Sequence, residues 1–303
     1  MIYYRKIIYT GLVFLLVLAL LVGGIIFFYQ KNQALEVIIL DVGQGDAILI
    51  SEGSNQILID GGTSGKKLLE KLGEYIPFWD RQIEGIITTH PDQDHIGGLI
   101  DAFQTYKIKT IFKTEARSSS LVFSALEKAI EKEKPARNAF GKAEAGGMEI
   151  VEAKKGVKIK FPSGAEIDIQ YPFASLNKLN EKDSNAGSVV AKLIFGENSF
   201  LFTGDLPSTQ EAELIKNKVA LKANILKVGH HGSKYSTSQE FLNEVKPEEA
   251  IISVGKNNRY GHPTPEVLER LKNIGAQIFR TDETGDIKYE CSKPEARCVI
   301  VAN

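Results

Sequence analysis

The chain has 303 residues, and its 37 Lys+Arg against 38 Asp+Glu leave a formal net charge of −1. No global field therefore argues for a polyanionic or polycationic partner, and 43% hydrophobic with 25% charged residues excludes a disordered or collagen-like chain. Two cysteines, Cys291 and Cys298, are too few for a Cys-rich zinc site or a disulfide scaffold, so any metal has to be held by histidine and carboxylates.

The first element is Ile7 to Tyr29, 23 residues without a charge. As a helix it would span roughly 35 Å, enough to cross a bilayer core with some tilt, and it reads as a membrane anchor. A cleaved signal peptide and a buried core helix are the competing readings. The run is longer than a signal-peptide core of about 7–15 residues and is apolar on all sides, which favours the anchor. Arg5 and Lys6 precede it and only Lys31 follows closely, so the positive-inside rule puts the short N-terminus in the cytoplasm and the remainder outside.

Beyond the polar stretch Gln30 to Gln33, residues 34–303 read as one domain of mixed α/β character. Ala34–Asp41, Ala47–Ser51 and Gln56–Asp60 are predicted strands joined by Gly- and Asn-containing turns. A helix near Ser64–Gly73, a strand Ile83–Thr89, a helix from about Gly97, a strand Ile108–Phe112 and a helix Ser119–Lys132 follow. The middle is β-rich, with Met148–Glu152, Val157–Phe161 and Glu166–Tyr171. Further strands are expected at Ser188–Phe195, Ser199–Thr203, Asn224–Val228, Glu249–Val254 and Gln277–Arg280, then at Asp286–Cys291 and Cys298–Val301. In that last hairpin Cys291 and Cys298 fall on facing strand ends. An oxidising exterior would favour a disulfide between them; the alternative is two small core residues on adjacent strands.

Three strand ends carry metal-ligand chemistry. His90-Pro91-Asp92-Gln93-Asp94-His95 packs two imidazoles and two carboxylates into six residues after an apolar strand. Imidazole suits zinc and carboxylate suits harder ions such as manganese, and Asp can bridge a pair of ions. Thr203-Gly204-Asp205 sets an acid after a second apolar strand, and Lys227-Val228-Gly229-His230-His231-Gly232-Ser233 sets two imidazoles after a third. Each of these two alone is weak. Together the three describe one sheet edge assembled as a metal site.

These motifs, with Asp41-Val42-Gly43-Gln44-Gly45-Asp46, Ile59-Asp60-Gly61-Gly62 and Gly261-His262-Pro263, resemble the metallo-β-lactamase superfamily, and within it the hydrolase domain of ComEC-type DNA-internalisation (competence) proteins. The resemblance covers residues 36–301. It implies a four-layer αβ/βα sandwich, preceded here by one transmembrane helix, with a binuclear site on one edge. Carried over, His90 and Asp92 would hold one metal and Asp94 and His95 the second. Asp205 would bridge them, and His230 would complete the second ion, with His231 as the alternative. No histidine lies between His95 and Asp205, where many superfamily members place a ligand. Asn185 and Ser188 stand there instead, so the first position is oxygen-rich and open to Mn²⁺ as well as Zn²⁺.

His262 is expected over the two ions, stabilising a phosphoryl oxygen or protonating a leaving group; otherwise it is a surface-loop histidine. Asp94, beside the attacking water, would orient it. Ser233, Lys234, Arg259 and Lys256 are candidate substrate contacts, and Asp41, Gln44, Asp46 and Asp60 loop supports. The leading expectation is a membrane-anchored, outward-facing hydrolase that uses metal-activated water on a phosphodiester, single-stranded DNA being the substrate the resemblance implies. The alternatives are cleavage of a small or envelope-linked phosphodiester, such as a choline- or glycerol-phosphate substituent, and a catalytically silent, metal-binding envelope module.

Overall fold

In a computed structural model of the chain, residues 2–31, 34–133, 147–176, 179 and 181–301 are described. Helix α1 (Ile2–Lys31) comes first, with the side chains of Tyr4 to Gly24 exposed along one apolar stretch. By length and composition that stretch qualifies as a membrane span, a test that a signal sequence also passes. Residues 32 and 33 of the expected linker lie outside the described residues.

Among the described residues two sheets are formed. The first contains β1 (Leu35–Ile39), β2 (Ile48–Glu52), β3 (Asn55–Ile59), β4 (Gln82–Ile87), β5 (Lys107–Lys113) and β6 (Glu149–Glu152), and the second β7 (Lys158–Lys160), β8 (Glu166–Tyr171), β9 (Val190–Phe195), β10 (Asn198–Phe202), β11 (Ile225–Lys227), β12 (Glu249–Ile252) and β13 (Gln277–Arg280). The chain then returns to the first sheet with β14 (Ile287–Cys291) and β15 (Val299–Val301), giving the orders β15-β14-β1-β2-β3-β4-β5-β6 and β13-β12-β11-β10-β9-β8-β7. Each sheet is antiparallel on one flank and parallel on the other, from β3 to β6 and from β10 to β13.

Strands that read as unbroken apolar runs are buried on both faces, as expected where helices cover a parallel flank. In β10, Phe200 and Phe202 enter the core between the sheets while Leu201 faces the opposite side; in β3, Ile57 and Ile59 face inward and Leu58 outward. On the outer face of the first sheet lie α2 (Gly65–Tyr75), α3 (Gln93–Ile96), α4 (Leu99–Thr105) and α5 (Leu121–Glu133). On that of the second lie α6 (Ser208–Lys216), α7 (Gln239–Val245) and α8 (Pro265–Asn273), with the one-turn α9 (Thr281–Thr284) following β13. Three apolar layers thus separate four layers of structure, the predicted αβ/βα sandwich. Across the central layer Tyr289 packs edge-to-face on Phe200, with ring centroids 5.3 Å apart, and donates its hydroxyl to Glu249 Oε2 at 2.6 Å.

The helix expected from about Gly97 is α4, and a separate single turn, α3, precedes it across Gly97-Gly98. Here the chain passes too close to residues 61–63 for side chains: a Cβ on Gly97 would lie 2.4 Å from the Thr63 carbonyl oxygen and one on Gly98 2.0 Å from that of Gly61. This contact locks the end of β3 to the turn after β4.

At the far end of the first sheet, Glu290 pairs with Val299, a register that sets Cys291 opposite Cys298. The two form a disulfide with Cα atoms 4.3 Å apart, both residues being buried. Asn198 of β10 ties the hairpin to the second sheet by accepting from Cys298 N at 2.8 Å. Dithiothreitol should lower the unfolding free energy in urea by at most about 2–3 kcal/mol, the chain-entropy value for so short a loop, and should leave a Cys291→Ala/Cys298→Ala chain unaffected. Alkylation before reduction, followed by mass spectrometry, should find no free thiol in protein taken from its native cells.

Candidate metal centre

The carboxyl ends of β3, β4, β10, β11 and β12 meet at one edge of the sandwich. After β4, Asp92 caps α3, its carbonyl accepting from His95 N and Ile96 N at 3.0 Å each, and the single turn of helix carries Asp94 and His95. After β3, Asp60 stands in the left-handed region at φ 58, which an aspartate tolerates. Its carboxylate accepts from Thr89 N at 2.8 Å, Thr89 Oγ1 at 2.6 Å and His95 Nδ1 at 2.7 Å. With Nδ1 committed to Asp60, His95 presents Nε2 to the centre.

The second sheet supplies the opposite wall. Asp205 follows β10, and its N–H donates to Ser188 Oγ at 3.2 Å. Two consecutive left-handed residues after β11, His230 (φ 50) and His231 (φ 53), turn the chain back at the sheet edge. His231 Nδ1 donates to the Ser253 carbonyl at 2.9 Å, so this imidazole too offers Nε2. Asp205 lies at the middle of the group. Its Oδ1 is 3.3 Å from His95 Nε2, and its Oδ2 is 3.6 Å from both His231 Nε2 and His230 Nε2 and 3.9 Å from His90 Nε2.

Four buried atoms here, His90 Nε2, His95 Nε2, His231 Nε2 and Asp205 Oδ1, make no hydrogen bond. One such atom costs about 1–3 kcal/mol, and four facing a common space form a donor set for a cation. Ligand atoms of Asp94, His95, Asp205 and His231 all lie within 4.8 Å of one another, and the mixture of imidazole and carboxylate suits a divalent metal. His231, the expected alternative, is thus the imidazole inside the cluster. His230 is more open, with its side chain 28% exposed.

Beneath the cluster is a buried ion pair between Lys227 Nζ and Asp46, residues only 1% and 2% exposed. Lys227 also donates to the Gly204 carbonyl at 3.3 Å, and Asp46 lies 3.4 Å from His231 Nδ1. Burial on its own would raise the Asp46 pKa, but Lys227 and His231 outweigh it and bring it down to about 2. Asp46 is therefore already matched by a cation, which leaves Asp92, Asp94 and Asp205 to meet a metal. No signal in the sequence singles out Lys227, because a lysine at a strand end is ordinarily solvated. Ser184 is a second unanticipated participant, donating to Asp92 Oδ1 at 2.6 Å.

The other expected residues occupy the surroundings. Asp41 is turned to Lys67 at 3.4 Å and accepts from Gly43 N at 3.0 Å; Gln44 Oε1 accepts from Gly255 N at 3.3 Å. Asn185 has its Oδ1 buried with no hydrogen bond, on the same 3₁₀ segment as Ser184. The His262 ring is 5.7 Å from that of His230, and its Nδ1 also lacks a hydrogen bond. Exposed Tyr260 stacks on His262 at 5.9 Å, with Arg259 over the Tyr260 ring. Ser233 is buried, whereas Lys234 is exposed over Tyr235. Ser233, Lys234 and Arg259 thus follow or border the His230 and His262 loops without entering the cluster.

Residues 40–256 match the family described as the Metallo-beta-lactamase superfamily. ComE operon protein 3 of Bacillus subtilis (strain 168) is 34% identical over 276 residues, which cover 84% of this chain and 33% of that protein. Competence protein ComA of Neisseria gonorrhoeae is 28% identical over 263 residues, 86% of this chain and 32% of that protein. The chain thus spans about a third of the length of these curated relatives. Among solved structures, the metallo-beta-lactamase fold protein YhfI from Bacillus subtilis superposes with a TM-score of 0.52 at 11% identity, over 85% of this chain and 100% of that one, a likeness of fold.

The charges of the cluster set its pH behaviour. Burial alone would lower the His231 pKa, but Asp205 and Asp46 lift it from 6.5 to about 9; His95 is likewise raised well above its ordinary value by Asp205 and Asp60 against burial. In chelator-treated protein both rings are then protonated at neutral pH. Their contribution to folding is complete below about pH 6.5, and that of His231 is lost as the pH rises through about 9. Metal uptake at pH 7 should therefore release protons, and calorimetry in buffers of different ionisation heat should show the release shrinking towards pH 9. Asp60→Asn, which loosens the support behind His95, should weaken metal affinity about 10–100-fold with the fold retained.

Proposed function

The chain belongs to the Metallo-beta-lactamase superfamily, whose members are generally metal-dependent hydrolases, and we propose that it is a membrane-anchored, two-ion phosphodiesterase acting on single-stranded DNA. The observation that carries the reading is the convergence of unsatisfied Nε2 atoms from His90, His95 and His231 on the buried carboxylate of Asp205. Both walls of the site must be in place for that geometry to exist, which argues for a working centre over a silent remnant. Competence proteins among its relatives support a DNA substrate, and the apolar Tyr4–Gly24 stretch supports the anchor.

In this reading His90 and Asp92 would hold one divalent ion and Asp94, His95 and His231 the other, with Asp205 within reach of both sets. Zn²⁺ or Mn²⁺, when bound, would supply a lowered water pKa and positive charge for a phosphoryl group. Asp60 and the Ser253 carbonyl keep the two imidazoles in the tautomer that presents Nε2. Asp94, whose Oδ2 is 3.4 Å from His231 Nε2, would orient the attacking water. Burial, with His230 and His231 nearby, pushes the His262 pKa down, which favours the uncharged ring. It would donate a hydrogen bond to a phosphoryl oxygen, and the cations Lys234 and Arg259 at the rim would draw in the neighbouring phosphates.

The 303-residue chain in detergent, stripped and reloaded with Zn²⁺ or Mn²⁺, should cleave single-stranded DNA faster than duplex DNA. Asp205→Asn should lower turnover by at least about 10²–10³-fold and weaken binding of both ions. Cleavage of a generic phosphodiester without cleavage of DNA would move the substrate to a small ester; no cleavage with either metal would leave a binding module.

A further inference from the structure

The turn between α2 and β4 leaves Phe78 and Trp79 79% and 69% exposed, more than any other aromatic described between residues 34 and 301. Their rings pack edge-to-face, with centroids 4.9 Å apart. The turn is held at both ends: Asp80 N donates to the Pro77 carbonyl at 2.8 Å, Gln56 Nε2 donates to Asp80 Oδ2 at 3.1 Å, and Lys107 N donates to the Arg81 carbonyl at 2.8 Å. A fixed turn that pushes two large rings into solvent, flanked by exposed Arg81 and Lys107, suits a partner surface that is apolar below and polar or anionic above.

Its place in the fold says what that surface is. β1, β3 and β4 run in the same direction, so β1 and β4 begin at the same end of the sheet, opposite the metal edge. Three strand spacings, roughly 15 Å, separate the start of β1 from the start of β4. Only four residue steps lead from the end of α1 at Lys31 to Leu35, at most about 14 Å of chain. The apolar span ends at Gly24, seven helical residues before Lys31, so an anchor in α1 makes this end of the sandwich the one nearer the bilayer.

We propose that the Phe78–Trp79 turn is a second membrane contact, seated in the headgroup region of the bilayer that α1 crosses, and that it fixes the sandwich with its metal edge facing away from the lipid. The inference rests on the anchor reading above. Trp and Phe suit that depth because the rings bury apolar surface while the indole N–H stays hydrated, and Arg81 and Lys107 add attraction to anionic headgroups.

Trp79 is the only tryptophan in the chain, so its emission, excited where tyrosine does not absorb, reports this turn alone. The full chain would be reconstituted in vesicles of phosphatidylethanolamine and phosphatidylglycerol in equal parts, with and without acyl chains brominated near the headgroup, and floated on a density gradient. The expected result is flotation together with a blue-shifted Trp79 emission that brominated lipid quenches and aqueous iodide does not. Phe78→Asp should reverse both quenching effects while the protein still floats. Flotation with Trp79 open to iodide and untouched by bromine would overturn the contact and leave the anchor standing. Flotation with Trp79 shielded from both quenchers would overturn it in favour of a protein partner or a second copy. Failure to float would remove the anchor, and the contact with it.

Discussion

A carboxylate buried as deeply as that of Asp205, 3% exposed, has to be met by positive charge or by hydrogen-bond donors. It sits where two sheets meet, with imidazole nitrogens from the ends of β4 and β11 and from α3 within 3.9 Å. Much of the surrounding architecture can be understood as holding those rings in register around it. Asp60 fixes His95 and Thr89, Ser253 fixes His231, Ser188 holds the Asp205 backbone, and Lys227 cancels Asp46 before that acid can compete for a cation. Since the supports come from both sheets, the centre exists only when the sandwich has closed.

Closure is driven by the three apolar layers. The inner one is built from side chains such as Val37, Ile59, Phe200 and Ile251, and it brings the carboxyl ends of two parallel flanks to one edge. Ligands collect where parallel strands end because the loops there are free of the hydrogen-bonding ladder. The glycine contact between residues 61–63 and 97–98 adds a second constraint, holding the first wall as one piece.

Much of this was legible in the sequence. Strands buried on both faces appear as apolar runs, and a run ending in His, Asp or Gly-Asp is conspicuous, so His90 to His95 and Asp205 could be singled out without coordinates. The fold class followed from the motifs and their family resemblance, since strand order leaves no periodic trace. What was hidden depends on contacts remote in the chain. Lys227 looks like any strand-end lysine until Asp46 is found against it, and Ser184 looks like any loop serine until it meets Asp92. Whether His230 or His231 turns inward depends on two successive left-handed backbone conformations that residue identity does not announce. Short helices such as α6 and α7, of nine and seven residues, went unplaced because so few turns leave little periodicity to mark a helix, and the four-residue α3 was missed because its residues read as part of the ligand loop.

The pairing of β1 has a consequence for how the protein is made. One of its neighbours, β2, follows at once, but the other is β14, with Val37 opposite Tyr289 and nearly the whole of both sheets between them in the chain. During synthesis β1 is among the first strands to emerge and waits with one edge unpaired while everything up to β13 is produced. Its Val37-Ile38-Ile39 run is well suited to pairing with another nascent chain. The β14–β15 hairpin therefore acts as a late latch: until it docks, the first sheet ends at the open edge of β1.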